Sequence, residues 1–279
     1  MLITYGFDIG ITVAQTTPLI ALLDVHDTRR ADVISEGDFI TRPSVPVSMY
    51  RDQFGNVCRR MVAPPGDFSF TLGGTITDSG EPDFVDWNLH EIPIAELPDD
   101  ALVYLLGSRY CETDQLSEMA WAQFGGLRPG WSRVAAIVNF VHNQLTFGYH
   151  YARATRTAAE AYQERVGVCR DFAHLTIALC RCLNIPARYV NGYLGDIGVP
   201  KDPAPMDFSA WCEVYLGGRW CTFDARHNKQ RTGRIVVARG RDATDVSLLH
   251  TFGKHTLKWF NVWTDEVTGT DVRPSPAAA

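Results

Sequence analysis

Residues 166–186 read VGVCRDFAHLTIALCRCLNIP. The apolar residues that follow Cys169 recur at helical spacing and predict a buried helix from about Cys169 to Leu183. The run Asn184-Ile185-Pro186 ends this helix, because proline cannot continue it. No other predicted helix in the chain is as apolar. The segment therefore places a cysteine at the first turn of a buried helix, just after Gly167.

Cys169 has two interpretations. The N-terminus of a helix offers free backbone N–H groups and a partial positive charge, which favour a thiolate and lower the pKa of a cysteine. The same N–H groups can bind a developing oxyanion. The alternative is a small apolar core residue, which is what most buried cysteines are.

The chain before this region divides into two parts. Residues 1–90 contain short runs rich in β-forming residues, separated by turns, and predict a small sandwich or barrel. Residues 91–130 are polar, rich in proline and glycine, and form a connecting segment. The predicted strands are Leu2–Phe7, Leu19–Val25, Val45–Arg51, Val57–Val62 and Phe68–Thr77.

Helices come first in the second half of the chain, and strands follow. Helical spacing predicts a helix up to Leu145 with Ser132 as its N-cap, and a second helix over about Thr157–Glu164. Gly217-Gly218 predicts a tight hairpin turn. This gives a core over residues 131–265 and a flexible tail over 266–279. The predicted strands are Ala187–Tyr193, Ala210–Leu216, Trp220–Asp224, Arg234–Arg239 and Phe252–Thr264.

Composition excludes several classes of function. The net charge is −6 over 279 residues, which argues against a nucleic-acid partner because duplex binding needs clustered cations. The first residues lack the pattern of a signal peptide, and no apolar run is long enough for a membrane span. Seven cysteines at irregular spacing predict reduced thiols and a cytoplasmic location.

Two segments of the chain resemble a known family. One is Gly167–Leu175, GVCRDFAHL, followed by Asn184–Val190 and Gly192-Tyr193. The other contains Trp211, Glu213, Gly218, Trp220, Asp224 and Arg226-His227-Asn228. Together they resemble the bacterial transglutaminase-like superfamily of cysteine enzymes. The resemblance implies an α+β protein, in which an N-terminal β-sandwich precedes a papain-like transglutaminase core of helices and antiparallel sheet.

The resemblance implies a catalytic triad of cysteine, histidine and aspartate. Cys169 takes the first position and Asp224 the third. Where the family pattern is His-Ala-Trp, this chain has Ser209-Ala210-Trp211. If Gly217-Gly218 is a two-residue turn, Trp211 pairs with Asp224, and Ser209 is a diagonal neighbour of Asp224 about 7–8 Å away. An imidazole could bridge that gap, whereas a serine hydroxyl is too short.

Other residues could stand in for the missing base or suggest a different site. His227, three residues after Asp224, is the best candidate among the remaining histidines, and His174 is expected to pack inward. Asp171 is expected to cap or orient the nucleophile helix, and Glu213 to be a surface strand residue. The cysteines show no C-x-x-C spacing, so neither a metal nor a cofactor is predicted.

Three functional hypotheses remain. The first is an enzyme that attacks a peptide or amide through a Cys169 thioester and passes the acyl group to water or to an amine, with activity weakened or lost through Ser209. The second is a degenerate member that binds a peptide or amide without turnover. The third is an enzyme inactivated by deliberate replacement of its histidine. The oligomeric state cannot be predicted from this sequence.

Overall fold

The computed structural model describes residues 1–268, so most of the predicted flexible tail, 266–279, lies outside the described residues. None of the helices within 1–268 combines the length and the apolar character needed to cross a bilayer. The helices are α1 (Asp99–Leu102), α2 (Thr113–Phe124), α3 (Trp131–Gln144), α4 (Ala158–Glu164) and α5 (Cys169–Cys182).

Seven strands precede these helices, two short strands lie between them, and six strands follow α5. The strands are β1 (Leu2–Val13), β2 (Thr17–Ala21), β3 (Val33–Glu36), β4 (Ile40–Arg42), β5 (Ser48–Arg51), β6 (Val57–Ala63), β7 (Gly66–Thr77), β8 (Thr146–Phe147), β9 (Val166–Gly167), β10 (Ala187–Leu194), β11 (Ser209–Leu216), β12 (Arg219–Phe223), β13 (Arg234–Gly240), β14 (Leu249–Thr251) and β15 (His255–Glu266).

The N-terminal half is a sandwich of two antiparallel sheets. The first sheet has the order β15-β1-β7-β3, with β4 also paired to β7, and the second has the order β14-β2-β6-β5. Alternate residues of β1, such as Ile3, Phe7 and Ile11, are fully buried, as expected for a strand with one face on a core. The predicted N-terminal β-sandwich is confirmed.

The C-terminal strands belong to this sandwich and not to the core. Strand β15 pairs with β1 from Ile3↔Glu266 to Val13↔His255, and β14 pairs with β2. The predicted range 131–265 had included this segment in the core. The return pairing covers an edge of β1 that would otherwise be exposed. It also places Trp263 against Gly6, where a Cβ would lie 2.1 Å from the indole ring.

The second half is built around α5. A four-stranded antiparallel sheet of order β12-β11-β10-β13 packs one face against this helix, and α2, α3 and α4 also contact it. The edge strand β13 of this sheet meets the N-terminal sandwich, where the His26 backbone N–H donates to the Val236 carbonyl at 2.9 Å. The sheet is thus held between the nucleophile helix and the sandwich.

Local details test two turn predictions. The hairpin register is confirmed, because Leu216 pairs with Arg219 and both Gly217 and Gly218 have positive φ, at 56° and 83°. The Ser132 N-cap is wrong. Helix α3 begins two residues earlier, at Trp131, and its N-cap is Gly130 at φ 103°, a conformation that favours glycine.

Candidate active site

Cys169 is fixed by the structure on both sides of it. The preceding residues form β9, which pairs in parallel with β8 through Phe147↔Gly167, and α5 begins at Cys169 itself. The Asp171 carboxylate accepts a hydrogen bond from the Val168 N–H at 2.9 Å and one from Arg156 at 3.1 Å. Asp171 therefore caps the nucleophile helix, as the sequence predicted.

Gly167 makes this cap possible. A Cβ at residue 167 would lie 2.6 Å from the Asp171 Cβ and 2.8 Å from its Oδ2, closer than real atoms approach. Only glycine lets the chain pass this close to the capping carboxylate. The glycine two residues before the cysteine thus has a structural reason that does not depend on the chemistry of the thiol.

Strand β11 brings Ser209 close to the thiol. Strand β11, which begins at Ser209, packs against α5. The backbone N–H of the next residue, Ala210, lies near enough to the Cys169 sulfur to lower the pKa of its thiol. Ser209 is buried and pairs with Gly192 of β10. The position that holds histidine in the family pattern therefore adjoins, along β11, a residue near the sulfur. The serine side chain at this position has no acid–base function near neutral pH.

Asp224 follows β12 directly and is buried among three donors. Its Oδ2 accepts from Arg234 at 2.9 Å and lies 2.9 Å from the Nδ1 of His227, while its Oδ1 accepts from the His227 backbone N–H at 3.2 Å. Burial raises the pKa of this carboxyl, but Arg234 and His227 outweigh that effect and hold the pKa well below its usual range. Asp224 is a stable carboxylate.

The thiol of Cys169 is less acidic than the sequence predicted. Cys169 is partly exposed as a residue, yet enough protein surrounds the sulfur for burial to raise its pKa to about 11. Arg226 and the Ala210 N–H act in the opposite direction and do not compensate. The expected lowering by the helix N-terminus is therefore not found, and near pH 7 the sulfur carries its proton.

Two of the other histidines have structural contacts. His174 is fully buried between Tyr110 and Tyr189, its Nε2 accepts from the Ala243 N–H at 3.1 Å, and burial lowers its pKa to about 3. His142 on α3 places its Nδ1 2.9 Å from the Ala225 carbonyl. Both keep the chain around the site in place.

His227 is different, because it shares a hydrogen bond with Asp224. The pair has the geometry of an aspartate that orients an imidazole, at 2.9 Å between Nδ1 and Oδ2. Within residues 1–268, however, no hydrogen bond joins the His227 ring to the Cys169 sulfur. The structure thus brings Asp224 and His227 together without bringing the ring onto the thiol.

Two arginines of the site were not predicted. In the sequence, Arg234 is only the first residue of a predicted strand, and Arg226 belongs only to the segment that follows Asp224. The guanidinium of Arg234 donates to Asp224 and to Asp83 and lies 4.8 Å over the ring of Trp211. No local pattern marks such a residue, because its partners come from three separate segments of the chain.

Glu213 is not a surface residue. It is buried, its carboxylate accepts from Arg188 at 2.7 Å and from Arg239 at 2.9 Å, and these arginines hold its pKa down although burial raises it. Over residues 1–268 there is no group of three or more histidine, cysteine or acidic side chains placed to hold a metal ion.

Comparison with known proteins places this geometry in a family. The family model for the transglutaminase-like superfamily matches residues 119–225, which contain Cys169, Ser209 and Asp224. A solved structure of a "putative cysteine protease" from Cytophaga hutchinsonii is 30% identical, covers 98% of this chain and 93% of its own, and superposes with a TM-score of 0.83. The chain belongs to the transglutaminase-like superfamily.

Curated relatives match a shorter segment of this chain. An uncharacterized protein of Mycobacterium leprae is 38% identical over 123 residues, which cover 42% of each chain. One of Mycobacterium bovis is 31% identical over 143 residues, which cover 48% of this chain and 46% of its own. This chain spans less than half the length of these mycobacterial relatives.

Proposed function

We propose that this protein is a cysteine acyl-transfer enzyme by descent, which forms a Cys169 thioester with a peptide or amide. Ser209 replaces its base, so turnover is weak or absent. One observation carries the proposal: β11, which begins at Ser209, packs against the helix that begins at Cys169, and this supports a base at position 209 between the thiol and Asp224. The seven unpaired thiols support a reducing, cytoplasmic location, which cell fractionation would test.

The proposed reaction has two steps. The Cys169 sulfur loses its proton and attacks the amide carbonyl, and a tetrahedral oxyanion forms. Its collapse breaks the C–N bond, the amine leaves with a proton, and a thioester remains on Cys169. Water or a second amine then attacks the thioester and returns the thiol. The N–H groups at the start of α5 are placed to bind the oxyanion in both steps.

Ser209 affects the proton transfers and not the binding. A histidine at this position would take the thiol proton and return it to the leaving amine, and Asp224 would orient its ring. Serine can do neither near neutral pH, and a base of this kind is typically worth about 10²–10⁴ in rate. A thiol pKa of about 11 leaves only a small thiolate fraction for the uncatalysed attack.

A second candidate function is a binder of peptides or amides that does not turn them over. The arrangement around Asp224 favours it, because Arg234 and His227 already satisfy this carboxylate without a residue at position 209. A site whose orienting carboxylate already has other partners no longer depends on a histidine. This candidate predicts that replacing Ser209 gains nothing.

The test restores the base. We expect Ser209→His to raise amide hydrolysis by at least about 100-fold, measured with peptide aminocoumarin amides and, for acyl transfer, with an added primary amine. Intact-mass measurement should show an acyl adduct on Cys169. Asp224→Asn in the Ser209→His protein should remove most of the gain.

Ser35→His is the matched control. Ser35 is an exposed residue of β3 in the sandwich, and a histidine there should leave the rate unchanged. A folded Ser209→His protein whose rate stays within about threefold of the parent would reject the enzyme and favour the binder.

A further inference from the structure

Arg226 makes no salt bridge within the described residues, although the carboxylate of Asp207 lies near enough for the two charges to interact. Arg226 lies two residues after Asp224 and is half-buried, with its guanidinium carbon 4.0 Å above the ring centroid of Phe147. Within residues 1–268 its guanidinium has no carboxylate in salt-bridge contact and no hydrogen-bond acceptor. Its side chain is held in place by stacking alone.

The stack places this charge beside the nucleophile. Phe147 pairs with Gly167 in the β8–β9 ladder, two residues before Cys169, and its ring centroid lies 6.4 Å from that of Phe172 in the first turn of α5. Phe147 therefore lies beside the start of α5, where Cys169 is, and Arg226 stacks on the ring of Phe147. The charge is close enough to oppose the effect of burial on the Cys169 thiol.

Other arginines near the site bind carboxylates or carbonyls. Arg234 is bound by Asp83 and Asp224, Arg156 by Asp171 and Glu164, and Arg170 by the Ala154 carbonyl and Asp171. Arg226 differs from all three. A cation that is half-buried, fixed in direction and unpaired beside a nucleophile has the properties of a ligand-binding group.

We propose that Arg226 binds a carboxylate of the substrate, so that the preferred substrates are amides with a carboxylate close to the scissile bond. This inference rests on the proposed thioester chemistry at Cys169 and names its substrate class. A guanidinium binds a carboxylate through two parallel N–H···O bonds, which fixes its direction as well as its charge. Arg226 would thus position the carbonyl carbon over the sulfur.

The test uses two alkylating reagents that differ in charge. Iodoacetate carries a carboxylate one bond from the carbon that the sulfur attacks, and iodoacetamide is its neutral analogue. Both require the same thiolate, so the ratio of their rates at Cys169 cancels any change in thiol pKa. The other six cysteines are buried, which favours labelling at Cys169 in the folded protein, and peptide mapping identifies the site.

We expect Arg226→Gln to lower the iodoacetate-to-iodoacetamide rate ratio about three- to tenfold, the range expected for one unit charge several ångströms away at the protein surface. Arg226→Lys should keep part of the ratio. The matched control is Arg219→Gln. Arg219 is exposed on the same hairpin, 4.1 Å over the ring of Phe84, and its loss changes the net charge equally.

Three results would overturn the proposal. They are an unchanged ratio in Arg226→Gln, an equal fall in Arg219→Gln, and equal slowing of both reagents in Arg226→Gln, which would show that Arg226 acts on the thiolate alone. Alkylation needs only the thiol and not turnover. A failure of Ser209→His to gain activity would therefore reject the proposed reaction while leaving this ratio to be judged separately.

Discussion

The two buried carboxylates of the β11–β12 hairpin look alike in most respects. Glu213 pairs with Thr222, two residues before Asp224, so both carboxylates belong to the same face of the sheet. Both are buried, both accept from arginine, and the pKa of each is held down against the effect of burial. Neither burial nor a shifted pKa separates them.

Their partners separate them. Glu213 is enclosed by Arg188, its direct neighbour across the β10–β11 ladder, and by Arg239 of β13, so it ties three strands together. Asp224 directly follows the last residue of β12, and one of its partners is an imidazole. A perturbed carboxylate indicates a functional site only when a reactive group lies beside it.

The largest effect we expect is on stability. Glu213→Gln should lower the free energy of unfolding by about 3–5 kcal/mol, because it leaves Arg188 and Arg239 buried without a counter-charge. Asp224→Asn should lower the free energy of unfolding by a smaller amount, because Arg234 would still donate hydrogen bonds to both carboxylate oxygens of Asp83. Urea unfolding of both variants measures the difference. Equal losses would contradict the contrast between the two carboxylates.

A second effect concerns acid. Arg239 also contacts the Nδ1 of His26 at 3.0 Å, and burial together with the charge of Arg239 lowers the pKa of His26 to about 4. In the unfolded chain His26 takes up a proton near pH 6.5, whereas in the folded protein it stays neutral until the pH falls to about 4. This contribution to stability is complete above pH 6.5 and is lost as the pH falls toward 4, with about 3 kcal/mol as its upper bound.

The measurement is urea unfolding at pH 7 and at pH 4.5. His26→Gln should lose less stability between the two pH values than the parent protein does. His174, whose pKa is lowered to about 3, contributes to the same acid loss in both proteins and cancels in the comparison. An identical loss in parent and variant would show that His26 is not coupled to the Glu213 side of the sheet.

Local signals predicted a large part of this structure. The Gly217-Gly218 turn predicted the hairpin register, which holds up to the pair of Cys212 and Phe223, and the apolar spacing after Cys169 predicted α5 to within one residue. Each of these features depends on residues that are close in the sequence. That is why they could be predicted before any contact was known.

The predictions that were wrong concern features that depend on contacts between distant segments of the chain. The pairing of β15 with β1 joins the two ends of the chain, and no spacing within either strand indicates its partner. Glu213 alternates like a surface residue, and only Arg188 and Arg239, from two other strands, show why it is buried. The pKa of Cys169 was predicted with the wrong sign, because burial of the sulfur comes from tertiary packing.

The smallest effect we expect comes from His227. If Ser209 marks the lost base, the His227 ring only holds Asp224, which also keeps its bond from Arg234 at 2.9 Å. His227→Gln should then change the iodoacetamide rate at Cys169 by less than about twofold at pH 8, because a ring without contact to the sulfur cannot take its proton.

Ser209→His is the positive control for that measurement, since an imidazole between the thiol and Asp224 should raise the alkylation rate and move its pH midpoint below 8.5. If His227→Gln slows the alkylation of Cys169 by more than about tenfold, our interpretation of the hairpin is wrong. Asp224 and His227 would then be a working pair that has taken over from position 209. The contrast with Glu213 would still hold, but Ser209 would no longer mark the missing base.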